Sequence, residues 1–257
     1  MTALSPKSVL ITGATGAIGS ALAEAYAAPG VTLHLQGRNA ELLTTVAEHC
    51  RGRGARVTAR ILDVTEIQTL FAWIGEVDAE SPVDLIFANA GMNTNVGPEG
   101  DGETWQATDM LIDINIRATM ALVHAILPGM RRRGRGQIVL ISSLAAYYGL
   151  PLTPSYSASK AALKAYGEAL RGWLAPEGIL VNVVMPGYVE SQMCRDMPGP
   201  KPFLWSPQRA VRTICRGLKA NRPRISFPFP LNLGCWLLSV IHPSISQRIL
   251  ALLDYRA

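Results

Sequence analysis

A short β-rich run, SVLI at residues 8–11, ends directly in TGATGAIG at residues 12–19, and a helical stretch covers residues 18–28. This restricts the fold more than any other segment. A strand, a tight glycine turn and a helix in that order begin a βαβ unit. Backbone N–H groups at the start of such a helix, at its positive dipole end, bind pyrophosphate. With the spacing GxxGxxG, Gly13 permits the sharp turn, Gly16 close backbone approach, and Gly19 close packing of helix on strand. Thr15, Ala17 and Ile18 complete the candidate phosphate cradle.

The alternation continues. Strands are predicted over 31–36, 56–62, 83–88, 137–141, 179–184 and 224–227. Helices are predicted over 40–53, 66–77, 103–130, 155–174, 207–220, 231–241 and 245–253. The run at 83–88 is nearly all apolar, as expected of a strand buried on both faces. This order predicts an α/β doubly wound parallel sheet, the Rossmann arrangement, in one domain spanning residues 1–257. Residues 188–257 form its substrate-side loop and an apolar helical C-terminal extension. The chain has 257 residues, 49% of them hydrophobic, enough for one sizeable core.

Composition excludes several classes. Cys50, Cys194, Cys215 and Cys235 show no CxxC spacing, which argues against a zinc site or disulfide framework and fits a reducing, cytoplasmic setting. His34, His49, His124 and His242 form no HxxxH or HExxH pattern, so no metal is expected. The opening residues show no signal peptide pattern. No apolar run reaches the ~20 residues that span a bilayer. Part of the net charge of +5 lies in Arg131-Arg132-Arg133-Gly134-Arg135. Without interleaved aromatics this reads as a solvated loop, not a nucleic-acid site.

Chemistry-bearing residues fall at the carboxyl ends of the predicted strands, where such sheets bind ligands. Arg38 follows the second strand, where an acid would bind the ribose hydroxyls of NAD and an Arg suits the 2′-phosphate of NADP. NADP(H) is therefore favoured over NAD(H). Asp63-Val64 follows the third strand and Asn89-Ala90-Gly91 the fourth. Tyr156 and Lys160 stand four residues apart on one helix face. A fixed positive charge beside a phenol lowers its pKa and suits it to general acid–base work.

Taken together, TGATGAIG, Asp63-Val64, NAG at 89–91, Asn115 in DINIRAT, ISS at 141–143, YSASK at 156–160 and PGYVES at 186–191 resemble the short-chain dehydrogenase/reductase family in its compact form. The resemblance implies Tyr156 as general acid/base. Lys160 would lower its pKa and hold the nicotinamide ribose. Ser143 would bond the substrate oxygen, with Ser142 the weaker candidate. Asn115 would kink its helix and hold a water linking Lys160 to solvent. Asp63 would hold the adenine amine, and Asn89–Gly91 would line the ribose. Pro186, Gly187 and Val189 would pack along the nicotinamide, and Ser191 would bind its carboxamide. It also implies a homodimer or homotetramer through the helices near 103–130 and 155–174.

Two departures stand out. The compact branch usually has glycine where this chain has Ala17, and often a base where it has Gly16. The NADP preference thus rests on Arg38. The expected activity is carbonyl–alcohol interconversion on a small molecule, possible alternatives being a non-catalytic nucleotide sensor and a cofactor-retaining epimerase or dehydratase. The tail after Ser191 sets substrate choice. Phe203, Leu204 and Trp205 are expected to form an apolar lid. The remainder packs on the core, buries a subunit interface, or touches a membrane or lipid-like substrate.

Overall fold

The structure is a computed structural model and describes residues 5–97, 100–197 and 199–255. The first residues, read above as lacking a signal peptide, lie partly outside it, as do the last two of the C-terminal extension. Seven parallel strands form one sheet: β1 (Ser8–Ile11), β2 (Thr32–Gly37), β3 (Arg56–Ile61), β4 (Leu85–Ala88), β5 (Gly136–Ile141), β6 (Ile179–Pro186) and β7 (Arg224–Phe227). Their spatial order is β3-β2-β1-β4-β5-β6-β7. The order reverses between β1 and β4, and that switch point opens a crevice at the strands' carboxyl ends.

The helices are α1 (Ala17–Tyr26), α2 (Ala40–Gly52), α3 (Ile67–Glu80), α4 (Trp105–Ile112), α5 (Ala118–Arg133), α6 (Pro154–Leu174), α7 (Gln192–Asp196), α8 (Pro207–Lys219), α9 (Leu231–Val240) and α10 (Pro243–Leu252). Strand alternation divides the core. Val9 and Ile11 join Leu22, Leu43 and Ile214 on the face covered by α1, α2 and α8. Leu10, Ile86 and Leu140 join Leu70, Ile126 and Leu170 under α3, α5 and α6. Each fully buried Leu or Ile side chain contributes about 1.5–3 kcal/mol. The edge strand β3 is mostly exposed and carries Arg56, Thr58 and Arg60 outward, a composition that discourages edge-to-edge pairing.

The helix predicted over 103–130 is not continuous. A π-helical turn, Asp113–Arg117, separates α4 from α5 and contains the fully buried Asn115. Its neighbour α5 carries Pro128 and ends at Gly134, φ 61°. The stretch Trp105–Arg133 is long and apolar enough to cross a membrane, but half of its most apolar window is buried within this fold. The arginine cluster at its end pairs with acids: Arg131 with Glu177 at 2.6 Å and Arg133 with Asp78 at 2.9 Å. Arg131, Arg132 and Arg133 thus form the last turn of α5 and not part of the solvated loop expected.

The lid expected of Phe203–Trp205 is not formed by these residues. Trp205 stacks on Phe227 at 5.1 Å and packs against the α1/α8 core. Phe203 and Leu204 are exposed. Instead α9 and α10 cover the sheet's carboxyl end, with Leu231 and Cys235 packing on Leu144, Ala146, Val183 and Met185. The outward residues Leu233, Trp236 and Val240 stay exposed.

Candidate active site

The glycine turn is pinned from two sides. Gln36, buried in β2, accepts from Gly13 N at 2.9 Å and donates to Leu62 O at 2.5 Å. Asn89 donates from Nδ2 to Thr12 O at 3.0 Å and Gly13 O at 3.1 Å. Sequence reasoning missed Gln36. The available signal was a polar side chain near the carboxyl end of a strand whose every residue is buried. Gly13 has φ +64°, and a Cβ there would stand 2.9 Å from Ala90 Cα. At Gly19 a Cβ would come within 2.2 Å of Gly13 O, so only glycine lets α1 leave the turn this closely. Ala17 opens α1 without strain, in the helical region that any residue adopts.

A cavity of about 1030 Å³ runs from this turn across the sheet edge. It is bordered by Gly13, Thr15, Gly16, Ala17, Ile18, Arg38, Asp63, Val64 and Asn89–Gly91, and further on by Ser143, Tyr156, Lys160, Pro186, Gly187, Val189 and Ser191. Gly19 and Asn115 stand behind the wall. The first turn of α1 has no acidic residue, and Gly16 offers no side-chain cap. Its leading N–H groups therefore suit an anionic group. These features fit a dinucleotide: a helix start free for pyrophosphate, a buried ammonium for ribose hydroxyls, and a guanidinium at the end of β2.

Arg38 and Asp63 were expected to serve separate parts of the nucleotide, yet they face each other at 3.7 Å. Asp63 also accepts from Thr65 N at 3.0 Å and Thr65 Oγ1 at 2.8 Å. Burial pushes the Asp63 carboxyl up, but Thr65 and Arg38 together hold it below its ordinary value.

Ser143 and Tyr156 come together across the cavity. Ser143 Oγ accepts from Ala145 N at 3.2 Å and lies 3.5 Å from Pro186 O. Ser142 turns away and donates to Lys160 O at 2.7 Å, which leaves Ser143 as the cavity hydroxyl. Lys160 Nζ donates to Ile141 O at 3.0 Å and lies 5.5 Å from the Tyr156 ring centroid. Burial pushes the Lys160 ammonium down to about 8. Burial also pushes the Tyr156 phenol up, against a downward pull from the Ser143 hydroxyl. The lowered phenol expected from Lys160 is not what this geometry gives: burial, not the ammonium, is the largest influence on Tyr156.

Asn115 is held by three side-chain hydrogen bonds. Its Oδ1 accepts from Met92 N at 2.8 Å, and its Nδ2 donates to Met92 O at 3.0 Å and Ser159 Oγ at 2.9 Å. It ties the loop after β4 to α6, and the π turn aims it there. Ser191 caps α7, accepting from Cys194 N at 3.0 Å. Among the described residues, no group of three His, Cys, Asp or Glu is placed to hold a metal.

Comparison with known proteins agrees with this geometry. The profile described as short chain dehydrogenase matches residues 7–200. An uncharacterized oxidoreductase of Myxococcus xanthus is 34% identical over 232 residues, 90% of this chain and 91% of that one. A short chain dehydrogenase from Burkholderia cenocepacia, solved in complex with NADP, superposes with a TM-score of 0.79 at 25% identity, covering 95% of this chain and 97% of that one. A short chain dehydrogenase from Mycobacterium paratuberculosis, bound to NAD, has a TM-score of 0.75 at 23% identity over 86% and 95% of the two chains.

Proposed function

The chain belongs to the short-chain dehydrogenase family, and from that premise we propose that it interconverts a carbonyl and a secondary alcohol by hydride transfer, with NADP(H) as cofactor and Tyr156 as general acid and base. One observation carries the reading: Ser143, Tyr156 and buried Lys160 meet where the nucleotide half of the cavity joins its apolar half. The nicotinamide, when bound, supplies or accepts the hydride. The Ser143 hydroxyl and Tyr156 phenol hold the substrate oxygen, and Tyr156 passes its proton to the developing alkoxide. Lys160 uses one N–H on Ile141 O and is assigned to the ribose hydroxyls with the others. Gly13, Thr15, Gly16, Ala17, Ile18 and Gly19 form the pyrophosphate cradle. Pro186, Gly187, Val189 and Ser191 form the nicotinamide wall. The test is NADPH consumption over a panel of ketones, read beside the Tyr156 variant argued in the Discussion. An NADPH-binding protein that reduces none of them would favour a nucleotide sensor.

Direction and pH follow from the two buried groups. A phenol held up by burial keeps its proton at neutral pH and is ready to act as an acid. Reduction needs that proton and the ammonium beside it. Raising pH through about 8 removes the Lys160 charge. The kcat/KM for reduction is therefore expected to stay level below that value and fall above it. A steady-state profile still level a full unit higher would contradict this.

Arg38 supports the cofactor assignment, because its exposed guanidinium stands at the end of β2 beside Asp63. In Arg38→Ala the NADPH affinity is expected to weaken by about tenfold, the worth of one charge-assisted hydrogen bond. NADH affinity should change little. Fluorescence titration of both nucleotides checks this, and equal affinities in the parent protein would refute the preference.

A further inference from the structure

We propose that the substrate is an uncharged molecule whose carbonyl carries a long aliphatic chain, seated along the inner faces of α9 and α10. The proposal rests on the carbonyl–alcohol reading above and names its substrate class. Beyond Tyr156 the cavity is walled by Leu231, Leu238, Ile241, Ile249, Leu250 and Leu253. Its charged lining residues are Arg38, Asp63 and Lys160, all in the nucleotide half or at the reacting pair. Residues 197–253 contain eight Lys or Arg and no Asp or Glu, yet none of these eight borders the cavity. A carboxylate or phosphate on the substrate would lose its water without gaining a partner, which costs far more than a wall of this kind returns.

Sugars and other polyols are disfavoured for a second reason. The tyrosine hydroxyls on this side are already committed. Tyr148 donates to Pro243 O at 3.3 Å. Tyr188 and Tyr255 share a hydrogen bond of 2.7 Å, and Tyr255 donates onward to Pro200 O at 2.8 Å. These bonds fix the two ends of α10 to the loops after β5 and β6. The tyrosines thus hold the wall in place, Gln192 at its edge is engaged with Asp196 and Arg195, and the α9–α10 wall itself faces the substrate with hydrocarbon. An aliphatic chain gains about 0.8 kcal/mol for each methylene fully buried, close to fourfold in affinity.

The test is a homologous series of methyl ketones from butan-2-one to decan-2-one, followed by NADPH consumption. The kcat/KM is expected to climb by up to about fourfold per methylene until the wall is filled. In Leu238→Asp the ratio of decan-2-one to butan-2-one kcat/KM should fall by about tenfold or more. A flat or falling series among ketones that are reduced overturns the proposal. So does equal use of a decanone ending in a carboxylate. The second measurement needs no turnover. Calorimetric titration of octan-2-ol and butan-2-ol into the NADPH-saturated parent protein should show the longer alcohol binding more tightly, by up to about 250-fold when all four added methylenes are buried. Equal affinity overturns the proposal even if ketones are reduced. Tighter binding of octan-2-ol with no ketone reduced supports the chain site and counts against the hydride-transfer reading alone.

Discussion

Tyr156→Phe is expected to lower kcat/KM for ketone reduction by about a thousandfold, within the range of a general acid removed from its site. The ring would stay where it is. It packs with Leu111 and Ala145 and is almost fully buried, so the substitution removes one hydroxyl and little packing. NADPH affinity is expected to survive, because the cradle at Gly13–Gly19 lies on β1 and α1 and not on α6. A normal NADPH titration with lost turnover therefore separates chemistry from folding. Ser143→Ala should cost about a hundredfold, as for one donor aimed at a developing oxyanion. The double variant should be scarcely slower than Tyr156→Phe alone, because the two groups act on the same oxygen. Undiminished turnover in Tyr156→Phe would sink the mechanism.

Much of this fold was legible because it is written locally. The periods of strand and helix, the glycine turn and the YSASK spacing each depend on neighbours within a few residues. Gly13 and Gly19 were read correctly because a tight turn and a close helix leave a recognisable residue type. What escaped depends on distant partners. The Tyr188–Tyr255 bond joins residues 67 apart in sequence. The pairing of Arg38 with Asp63 requires the ends of β2 and β3 to lie side by side. Asn115 was singled out, but its partners Met92 and Ser159 depend on a π turn that helical periodicity does not reveal. The Phe203–Trp205 stretch looked like a lid because exposed aromatics near a site suggest one. Instead Trp205 alone turns inward, onto Phe227 of β7, an aromatic stack no local pattern predicts, while Phe203 and Leu204 stay exposed.

The tail shows the same division. Its helices at 231–241 and 245–253 were visible in the sequence, and its inner face packs on the core as one of the three readings expected. Which residues turn inward was not visible, because α9 is apolar apart from Asn232 and Ser239, and Asn232 turns toward Ser226 O and not to solvent. Orientation comes from contacts that only the folded sheet provides, such as Leu231 and Cys235 against Val183 and Met185.

Lys160→Met is expected to make the protein more stable and nearly inactive. Lys160 is 5% exposed, and burial lowers its value from 10.5 to about 8. At about 1.4 kcal/mol per unit this corresponds to a cost of about 3 kcal/mol at neutral pH, an order-of-magnitude figure. Methionine keeps most of the volume and loses the hydrogen bond to Ile141 O, worth about 1 kcal/mol, so a net gain of about 2 kcal/mol remains. The pH dependence identifies the cause. Between about 8 and 10.5 the unfolded chain holds a proton at this site that the folded chain does not. Parent stability therefore rises with pH across that window, and the cost is fully present below it. The advantage of the Met variant should be largest near neutral pH and shrink as pH climbs toward 10.5. Urea unfolding of both proteins at neutral pH and near pH ~10 reads this directly. A Met variant less stable than its parent at neutral pH would show that Lys160 holds the fold together, and that the buried ammonium is not a strain the site retains for its chemistry.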